Sequence, residues 1–398
     1  MEFLGYARQD GSAGARNYVA IIPAVQCGNE LADRIATEVG RGVVALTHNA
    51  ACVNVPPDKD MVHRTLVGLG CNPNVAAVVV VGIGCDGPPA APIADEIAAT
   101  SKKPVELVTI EREGSYENAV AKGIRAARQM LADASLLQRK PFDISYLTFA
   151  SKCTGSTPAS IMACNPAVGW AADALVAAGG TFVFSETAEI IGAEHLLARR
   201  AVSHEVGMRI IEVATRMEER IRATGVDIRG SQPNPGNIRG GMTTLEEKSL
   251  GAITKSGRSP ISGVLEWSER PSGKGMYFMD GAANTPQIFL GFAAGGAQVM
   301  SLNFGAGLPT MYHNFTCAVG GIPTVPVLKL FSSPQDIAQK EYFDVYAGSI
   351  IEGTETVADV GRRLLEEIVA VASGKPARQE MNSRYHEPLI MYYTGPIL

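Results

Sequence analysis

The sequence has little of what membrane, secreted and nucleic-acid-binding proteins need. No apolar stretch reaches the ~18–20 residues of a membrane span, and the opening segment MEFLGYARQDGSAGARN lacks the basic and then apolar regions of a secretory signal. The 35 lysines and arginines are outnumbered by 40 acidic residues, so there is no electrostatic footprint for nucleic acid. These absences predict a cytoplasmic protein that binds neither membrane nor nucleic acid.

Charged residues are also few, at 19% of the 398 residues, whereas hydrophobic residues make up 46%. This balance is typical of a compact globular protein, and the length allows two or three domains. The seven cysteines show no C-x-x-C spacing. In a protein without an export signal we therefore expect reduced thiols, which serve as metal ligands or as small buried side chains.

Short β-branched runs alternate with helix-length segments through the first half of the chain. The runs are YVAIIPAVQ (18–26), GVVALTH (42–48), VAAVVVVGIG (75–84), PVELVTIE (104–111), ISYLTFAS (144–151) and GTFVFSE (180–186). Near-continuous apolar strands between helices predict an α/β fold with a parallel, Rossmann-like sheet covered by helices on both faces.

The second half of the chain is less regular. A stretch rich in Pro, Asn and Gly at 225–244 predicts a loop, and later strands and a helix over about 354–373 predict a second α/β domain. We expect a Rossmann-like domain over 1–140 and this second domain over 141–398. The second domain ends in an apolar and aromatic segment, which predicts a tail that docks against a domain or subunit.

Residues that directly follow the strands of a parallel sheet meet at its carboxyl edge, where ligands bind. Four of the seven cysteines fall at such positions, beside carboxylates, a histidine and a lysine. The positions are Cys27, His48, Asn49, Cys52, Cys85, Asp86, Glu111, Arg112, Lys152, Cys153, Ser185 and Glu186. Soft thiolates with imidazole suit iron or zinc, although a single cysteine is more often a small buried hydrophobe, and His48 alone would suit a core histidine bonded to a backbone carbonyl.

A glycine pattern in VVVVGIGCDG (78–87) offers a different reading. Gly82, Gly84 and Gly87 match G-x-G-x-x-G after a strand, which in a dinucleotide site lets the backbone approach a pyrophosphate. That fingerprint normally opens the first strand–helix unit, whereas here it follows the third predicted strand. An NAD-dependent oxidoreductase that uses Gly82–Gly87 remains an alternative.

Eight segments of the sequence resemble motifs of the altronate/galactarate dehydratase family, in the order in which they occur there. They are GYARQDGSAGARN (5–17), VQCGN (25–29), GVVALTHNAAC (42–52), GCNPNVAAVVVVGIGCD (70–86), SKCTGS (151–156), NPAVG (165–169), SETAEIIGAEHLL (185–197) and NPGNIRGGMTTLEEKSLGAITKSG (234–257). The resemblance is to the catalytic domain or large subunit and covers roughly residues 5–300.

The resemblance implies a metal-dependent lyase that removes water from a sugar acid or a related 2-hydroxy acid to give a 2-keto acid. It implies Fe²⁺ first, with Mn²⁺ or Mg²⁺ as other choices. An iron–sulfur cluster is a variant, because dehydratases of other folds use one as a Lewis acid. A related branch releases sulfite from sulfolactate, and a small SAF-type domain or separate subunit accompanies many members. We expect a homo-oligomer, a small anionic substrate and a separate small SAF-type subunit.

Three positions depart from the family pattern. Thr157 stands where the family's K-C-G-G-S-D motif has aspartate, the segment NFGAGLP (303–309) lacks an arginine, and the usual D-x-P-x-N becomes DGAAN (280–284). These differences leave the substrate open. They also keep a non-catalytic binding subunit as an alternative.

Elimination from a 2,3-dihydroxy acid needs a base, an acid, and cations or a metal that stabilise the developing dianion. For the catalytic roles we expect Lys152, Glu186, Lys248 and His48. For substrate binding we expect Arg16, Asn17, Asn49, Arg239, Thr243, Thr244 and Lys255. For metal binding we expect Cys27, Cys52, Cys85 and Cys153. The stretch TTLEEKSLG also predicts a helix that Thr243 or Thr244 caps, with acids in its first turn.

Overall fold

The computed structural model describes residues 1–52, 55–85, 87–281, 283–305, 321–334, 343–382 and 389–395. These residues form a mixed α/β fold with two parallel sheets and one small antiparallel sheet. None of the helices in these ranges is long and apolar enough to cross a membrane. Asp86, Ala282 and residues 306–309, which the sequence motifs include, lie outside the described residues.

The first parallel sheet has four strands in the order β4-β3-β5-β6. These strands are β3 (Tyr18–Pro23), β4 (Val43–Ala45), β5 (Val75–Gly82) and β6 (Val105–Thr109). Its helices are α1 (Asn29–Val39), α2 (Pro56–Cys71), α3 (Ala90–Ser101), α4 (Ile110–Glu113) and α5 (Tyr116–Ser135). Alternate valines of β5 enter two different core clusters, because successive side chains of a strand point to opposite faces. Helices therefore cover both faces, which is why β5 is apolar throughout.

The second parallel sheet has seven strands in the order β10-β11-β9-β8-β12-β13-β14. These strands are β8 (Thr148–Thr154), β9 (Thr181–Phe184), β10 (Ile261–Leu265), β11 (Gly275–Met279), β12 (Val299–Phe304), β13 (Val327–Phe331) and β14 (Val345–Tyr346). Its helices are α6 (Asn165–Ala177), α7 (Glu194–Ala198), α8 (His204–Arg222), α9 (Pro235–Arg239), α10 (Leu245–Ile253), α11 (Thr285–Ala294), α12 (Val357–Ala372) and α13 (Arg378–Asn382).

The largest core cluster joins the two parallel sheets. It contains Val78 and Val80 from β5 and Ala150, Met300 and Leu302 from β8 and β12, together with buried residues of α2 and α11. A second cluster covers the other face of the seven-stranded sheet and includes the aromatic side chains of β8 and β9. Both sheets thus share one continuous apolar interior.

A small antiparallel sheet of order β2-β1-β7 connects the beginning of the chain to its middle. Its strands are β1 (Glu2–Ala7), β2 (Ala13–Gly14) and β7 (Lys140–Asp143). The domain boundary expected at 140/141 falls inside β7, and that boundary stays a prediction.

The predicted α/β fold with helix-covered parallel strands is confirmed. One consequence drawn from it needs correction, because the six early strands do not share one carboxyl edge. β3 to β6 belong to the four-stranded sheet, whereas β8 and β9 belong to the seven-stranded sheet. The reason is that β7 turns back to pair with β1, so that β8 starts a new sheet.

Candidate active site

Six ionisable side chains meet inside the protein at the carboxyl edge of the seven-stranded sheet. Strand β8 supplies two of them, the turn after β9 two more, and α10 with the turn that follows it the last two. They are Lys152, Cys153, Glu186, Glu189, Lys248 and Lys255, and none is more than 6% exposed. Lysine and glutamate are almost never fully buried unless they are paired. We call these six residues the lysine–carboxylate cluster.

Glu186 lies at the centre of the cluster. Its Oε1 accepts a hydrogen bond from Lys152 Nζ at 2.8 Å, and its Oε2 accepts from Lys255 Nζ and from the backbone N–H of Cys153 at 3.2 Å. The backbone of Glu186 is left-handed, with φ of 86°. A conformation of this kind costs about 1–3 kcal/mol in a residue other than glycine and is typical of functional sites.

Glu189 and the Cys153 thiol complete the cluster. Glu189 Oε1 lies 3.0 Å from Lys248 Nζ, and Glu189 Oε2 lies 3.7 Å from Cys153 Sγ. The same sulfur accepts a hydrogen bond from Lys255 Nζ at 3.5 Å, and Lys248 Nζ also donates to Gln232 Oε1 at 2.6 Å. The thiol therefore lies between the two carboxylates.

Burial and the neighbouring charges set the protonation states. Burial, and secondly the charge of Glu186, raise the pKa of Cys153 to about 12. Burial alone would raise the pKa of Glu186, but the ammonium groups of Lys152 and Lys255 lower it to about 2. Burial disfavours the charged forms of these two lysines, but the neighbouring acidic groups outweigh it. Glu186 is the main cause that raises the pKa of Lys152, and Cys153 followed by Glu186 raises the pKa of Lys255. Three lysines and two glutamates meet here beside the Cys153 thiol, so the cluster has a formal excess of one positive charge.

Strand β11 holds the turn that carries both glutamates. Ser185 Oγ donates to Met279 O at 2.6 Å, and Thr187 Oγ1 donates to Asp280 Oδ1 at 2.5 Å. Arg216 in turn pairs with Asp280 at 2.5 Å. The end of the neighbouring strand thus fixes the strained turn, which orients the carboxylates toward β8.

Helix α6 holds the turn that carries Lys255. A Cβ at Gly169 would overlap the backbone oxygen of Thr254 and the backbone of Gly257, so only glycine permits this contact between helix and turn. Gly257 itself has φ of 55°, which favours glycine. The glycines of the NPAVG and ITKSG segments therefore place the Lys255 ammonium inside the cluster.

Three atoms of the cluster could hold a metal ion as judged by their separation. One ligand atom each from Cys153, Glu186 and Glu189 lie within 4.8 Å of one another. However, the ammonium groups of Lys152, Lys255 and Lys248 already bind these carboxylates. A metal ion at these three atoms would therefore have to displace ammonium groups from the carboxylates and bind Cys153 as the thiolate.

His48, expected to be catalytic, lies at the edge of the other sheet. Its Nε2 donates to Pro23 O at 2.7 Å, and its Nδ1 accepts from the N–H of Ala50 at 3.1 Å. Burial lowers its pKa to about 4, against a weaker opposing effect of the bond to Pro23. The imidazole ring is neutral and both of its nitrogens bind backbone atoms, so the His48 side chain stabilises the loop after β4.

Arg16, Asn17 and Asn49, expected to bind substrate, make structural contacts. Arg16 forms two hydrogen bonds to Glu380, of 2.7 and 2.6 Å. Asn17 accepts a hydrogen bond from Arg8 Nη1 at 2.8 Å. Arg16 and Asn17 both directly precede β3, at its amino end. Asn49 Oδ1 accepts from the backbone N–H of Met391 at 2.8 Å. These three side chains lie outside the cluster.

The remaining expected residues divide between the surface and the cluster. Arg239, Thr243 and Thr244 are exposed. The Thr244 side chain caps α10 by accepting from the N–H of Glu247 at 3.1 Å, which confirms the predicted capped helix, and Thr243 Oγ1 donates to Glu247 Oε2 at 2.5 Å. Of the residues expected to bind substrate, the structure brings Lys255 into the cluster.

The four cysteines expected as one ligand set lie at two different edges. Cys153 is buried in the cluster, whereas Cys27, Cys52 and Cys85 follow β3, β4 and β5 and are exposed or half-buried. The sequence reasoning also missed Glu189. The signal was present, because Glu189 follows Glu186 by three residues within the SETAEIIG motif.

Two family models cover most of the chain. Residues 5–135 match the D-galactarate dehydratase/altronate hydrolase second domain, and residues 144–396 match the D-galactarate/altronate dehydratase C-terminal domain. The lysine–carboxylate cluster falls entirely within the second match.

Curated relatives agree with the family models. The chain is 38% identical over 383 residues to the (2R)-sulfolactate sulfo-lyase subunit beta of Chromohalobacter salexigens, covering 95% of the chain and 94% of that relative. It is 31% identical to the galactarate dehydratase (L-threo-forming) of Escherichia coli, over 99% of the chain and 77% of the relative. It is 29% identical to the altronate dehydratase of Bacillus subtilis, over 100% of the chain and 78% of the relative.

The fold, the buried cluster and these relatives together define an enzyme of the lyase class. The chain belongs to the D-galactarate/altronate dehydratase family.

Proposed function

We propose that the chain catalyses elimination from a small 2-hydroxy acid anion to give a 2-keto acid. The proton next to the carboxylate is removed, the leaving group departs from the neighbouring carbon, and the resulting enol becomes the ketone. The excess positive charge of the lysine–carboxylate cluster is the observation that supports this proposal. A buried cationic site attracts an anion and stabilises the dianion that develops when a proton next to a carboxylate is removed.

The positions of the side chains suggest separate roles within this reaction. Lys152 and Lys255 are the cations that hold the substrate carboxylate and stabilise the developing negative charge. Glu189 is the base, because its Oε2 faces the neutral Cys153 thiol while Lys248 binds its other oxygen. Lys248 is the acid that protonates the leaving group. Glu186 has its pKa lowered to about 2 and keeps the two lysines charged and in place.

Two leaving groups are candidates. Loss of water from a sugar acid corresponds to the galactarate and altronate dehydratases among the relatives. Loss of sulfite from sulfolactate, with pyruvate as the product, corresponds to the sulfo-lyase subunit. That candidate is favoured by identity of 38% and by matching length, since the chain covers 94% of that subunit.

We further propose that the enzyme requires a divalent metal, with Fe²⁺ first and Mn²⁺ or Mg²⁺ as alternatives. Such an ion would act as a Lewis acid toward the substrate oxygens. A cytoplasmic location, a homo-oligomer and a separate small SAF-type subunit are also part of this proposal. The name of the sulfo-lyase relative, a subunit beta, supports the expectation of a second subunit.

A substrate screen tests the activity. Anaerobically purified protein, with added Fe²⁺ and with or without a candidate small subunit, is incubated with aldonates, aldarates and sulfolactate. We expect a 2-keto acid from one class, accompanied by sulfite if sulfolactate is the substrate. Absence of 2-keto acid in every arm, with folded protein and both subunits present, would contradict the proposal.

Site variants test the roles. We expect Lys152→Met to lower kcat by about 10²–10³-fold, as is typical for loss of a group that stabilises an oxyanion. We expect Glu189→Gln to lower kcat by about 10²–10⁴-fold, as is typical for loss of an acid–base group. Lys103→Met is the matched control, because Lys103 is also buried but its Nζ donates to the backbone oxygens of Gly70 and Asn72, outside the cluster. Retention of full kcat in Glu189→Gln would eliminate Glu189 as the base.

A further inference from the structure

The segment rich in Pro, Asn and Gly at 225–244 passes beside the lysine–carboxylate cluster. Its Gln232 is half-buried, and the Oε1 of Gln232 accepts a hydrogen bond from Lys248 Nζ at 2.6 Å. An ammonium group has donors and no acceptor, so the amide must turn its oxygen, and not its nitrogen, toward Lys248. Gln232 therefore contacts the group that protonates the leaving group in the proposed function.

Apolar contacts fix the backbone on the amino side of Gln232. Ile228 is 2% exposed and forms a small core cluster with Ile191 and Leu245. Ile191 follows the turn that carries both glutamates, and Leu245 begins α10, the helix that carries Lys248. The backbone N–H of Gln232 donates to Ile228 O at 2.8 Å. The turn from 228 to 232 is therefore anchored between the two elements that supply the partners of this contact.

Hydrogen bonds fix the backbone on the carboxyl side of Gln232. Asn234 and Asn237 bond reciprocally through side chain and backbone in a capping box at the start of α9. Asn237 is 3% exposed, and its Nδ2 donates to Ser156 O at 3.1 Å, just after the end of β8. Gln232 lies between this anchor and the one at Ile228, so its side chain reaches the cluster from a fixed backbone.

Two acceptors on separate elements locate the Lys248 ammonium. Lysine carries its charge on a flexible four-carbon stem, so burial alone does not aim it. Glu189 Oε1 lies 3.0 Å from Lys248 Nζ on one side, and Gln232 Oε1 binds it on another. An ammonium group has three donors. Among the residues that the structure describes, Lys248 Nζ has these two acceptors, so one N–H remains for a substrate atom.

We propose that Gln232 is a positioning residue that aims the Lys248 ammonium at the leaving group. This inference rests on the acid role of Lys248 in the proposed function. Because the amide is uncharged, it holds the ammonium without cancelling the formal excess of positive charge in the cluster. Without Gln232 the ammonium keeps Glu189 as its partner and follows its flexible stem away from the leaving group.

The expected effect is on kcat and not on KM. Lys152 and Lys255 hold the substrate carboxylate in the proposed function, and Gln232 contacts neither of them. Loss of an interaction that acts in the transition state alone lowers kcat and leaves KM unchanged.

The first test is the variant Gln232→Met, which keeps the length of the side chain and removes the strong acceptor. We expect kcat to fall by about 10–100-fold, the rate equivalent of one hydrogen bond to a charged group, with little change in KM. Gln287→Met is the matched control, because Gln287 is also half-buried but its Nε2 donates to Met391 O at 3.1 Å, outside the cluster. This control should keep both kcat and KM.

The second test needs no turnover. The full-length parent and both variants are treated with acetic anhydride, and the acetylated lysines are identified by mass spectrometry. Lys152, Lys248 and Lys255 are at most 3% exposed, so all three should be protected in the parent and in Gln287→Met. In Gln232→Met we expect Lys248 to become reactive while Lys152 and Lys255 stay protected.

Several results would overturn the inference. Lys248 as protected in Gln232→Met as in the parent would mean that Gln232 does not hold the ammonium, whatever happens to kcat. Reactivity of all three lysines together with a lower melting temperature would show a merely structural role, and a raised KM at unchanged kcat would assign Gln232 to substrate binding. If the parent converts no substrate, the proposed function fails, whereas the reactivity of Lys248 still decides whether Gln232 positions it.

Discussion

Single residues carried much of the information about the candidate site. Lys152 stood out in the sequence because lysine avoids burial unless it is paired or catalytic, and the structure buries it against Glu186. Lys248, Lys255 and Cys153 were also singled out, but with unrelated roles, because their meeting depends on which strands and turns are neighbours. Glu189 was missed although it follows Glu186 by three residues in the SETAEIIG motif, because that spacing alone does not distinguish a buried acid from a surface one.

At this scale, His48 should give the protein a measurable dependence of stability on pH. Its pKa falls from 6.5 to about 4 on folding, so between these values the unfolded state binds more protons, and stability increases with pH. The contribution is complete above about pH 6.5 and is lost as pH falls toward 4, a difference of about 3 kcal/mol. Urea unfolding across this range should show a smaller slope in His48→Gln. The exposed His204→Gln is the control, and an equal slope in His48→Gln would contradict the buried neutral ring.

Elements were more predictable than their arrangement. The valine-rich run at 75–84 predicted β5 (Val75–Gly82), and the capping pattern in TTLEEKSLG predicted α10, because both signals are local. The division into two sheets was not predictable, since a βαβ pattern specifies parallel strands without specifying their order. β1 overlaps the opening motif only at residues 5–7. Its pairing with β7 spans more than a hundred residues, which no local periodicity can predict.

The contact between α6 and the turn of Lys255 provides a test at the scale of an element. Alanine is the better helix former by about 1 kcal/mol, yet Gly169→Ala places a methyl group against the backbone of Thr254 and Gly257. We expect a net loss of about 1–3 kcal/mol in unfolding free energy together with lower kcat, because Lys255 moves. In Gly123→Ala the new methyl meets the end of the Ile35 side chain, so kcat should be unchanged. A Gly169→Ala protein as stable and active as the parent would disprove the close contact.

Across the whole molecule, residues 389–395 connect the edges of the two parallel sheets. Met391 N donates to Asn49 in the loop after β4, while Met391 O accepts from Gln287 of α11 at 3.1 Å. Tyr392 packs on Trp267 with ring centroids 5.8 Å apart. The same short segment therefore touches the loop that carries Cys52, helix α11 and the turn after β10, and so connects the two parallel sheets.

Arg16 also connects distant parts of the chain. A substitution of Arg16 distinguishes this structural role from the expected role in substrate binding. It binds Glu380 and the backbone oxygens of Ala15, Val371 and Lys375. We expect Arg16→Met to lower the unfolding free energy by about 1.5–3 kcal/mol, as is typical for lost hydrogen bonds to charged groups, with KM unchanged in the fraction that stays folded. Exposed Arg239→Met should leave stability intact. A raised KM in Arg16→Met without loss of stability would instead favour substrate binding.

The position of β8 in its sheet has a consequence for how the enzyme forms after synthesis. Ser151 of β8 bonds to Ser301 of β12, 150 residues later in the chain. Long loops must close before such strands pair, and topologies dominated by distant pairs fold slowly. Lys152 and Cys153 share β8 with Ser151, so the lysine–carboxylate cluster assembles only when strands 150 residues apart in the chain have paired.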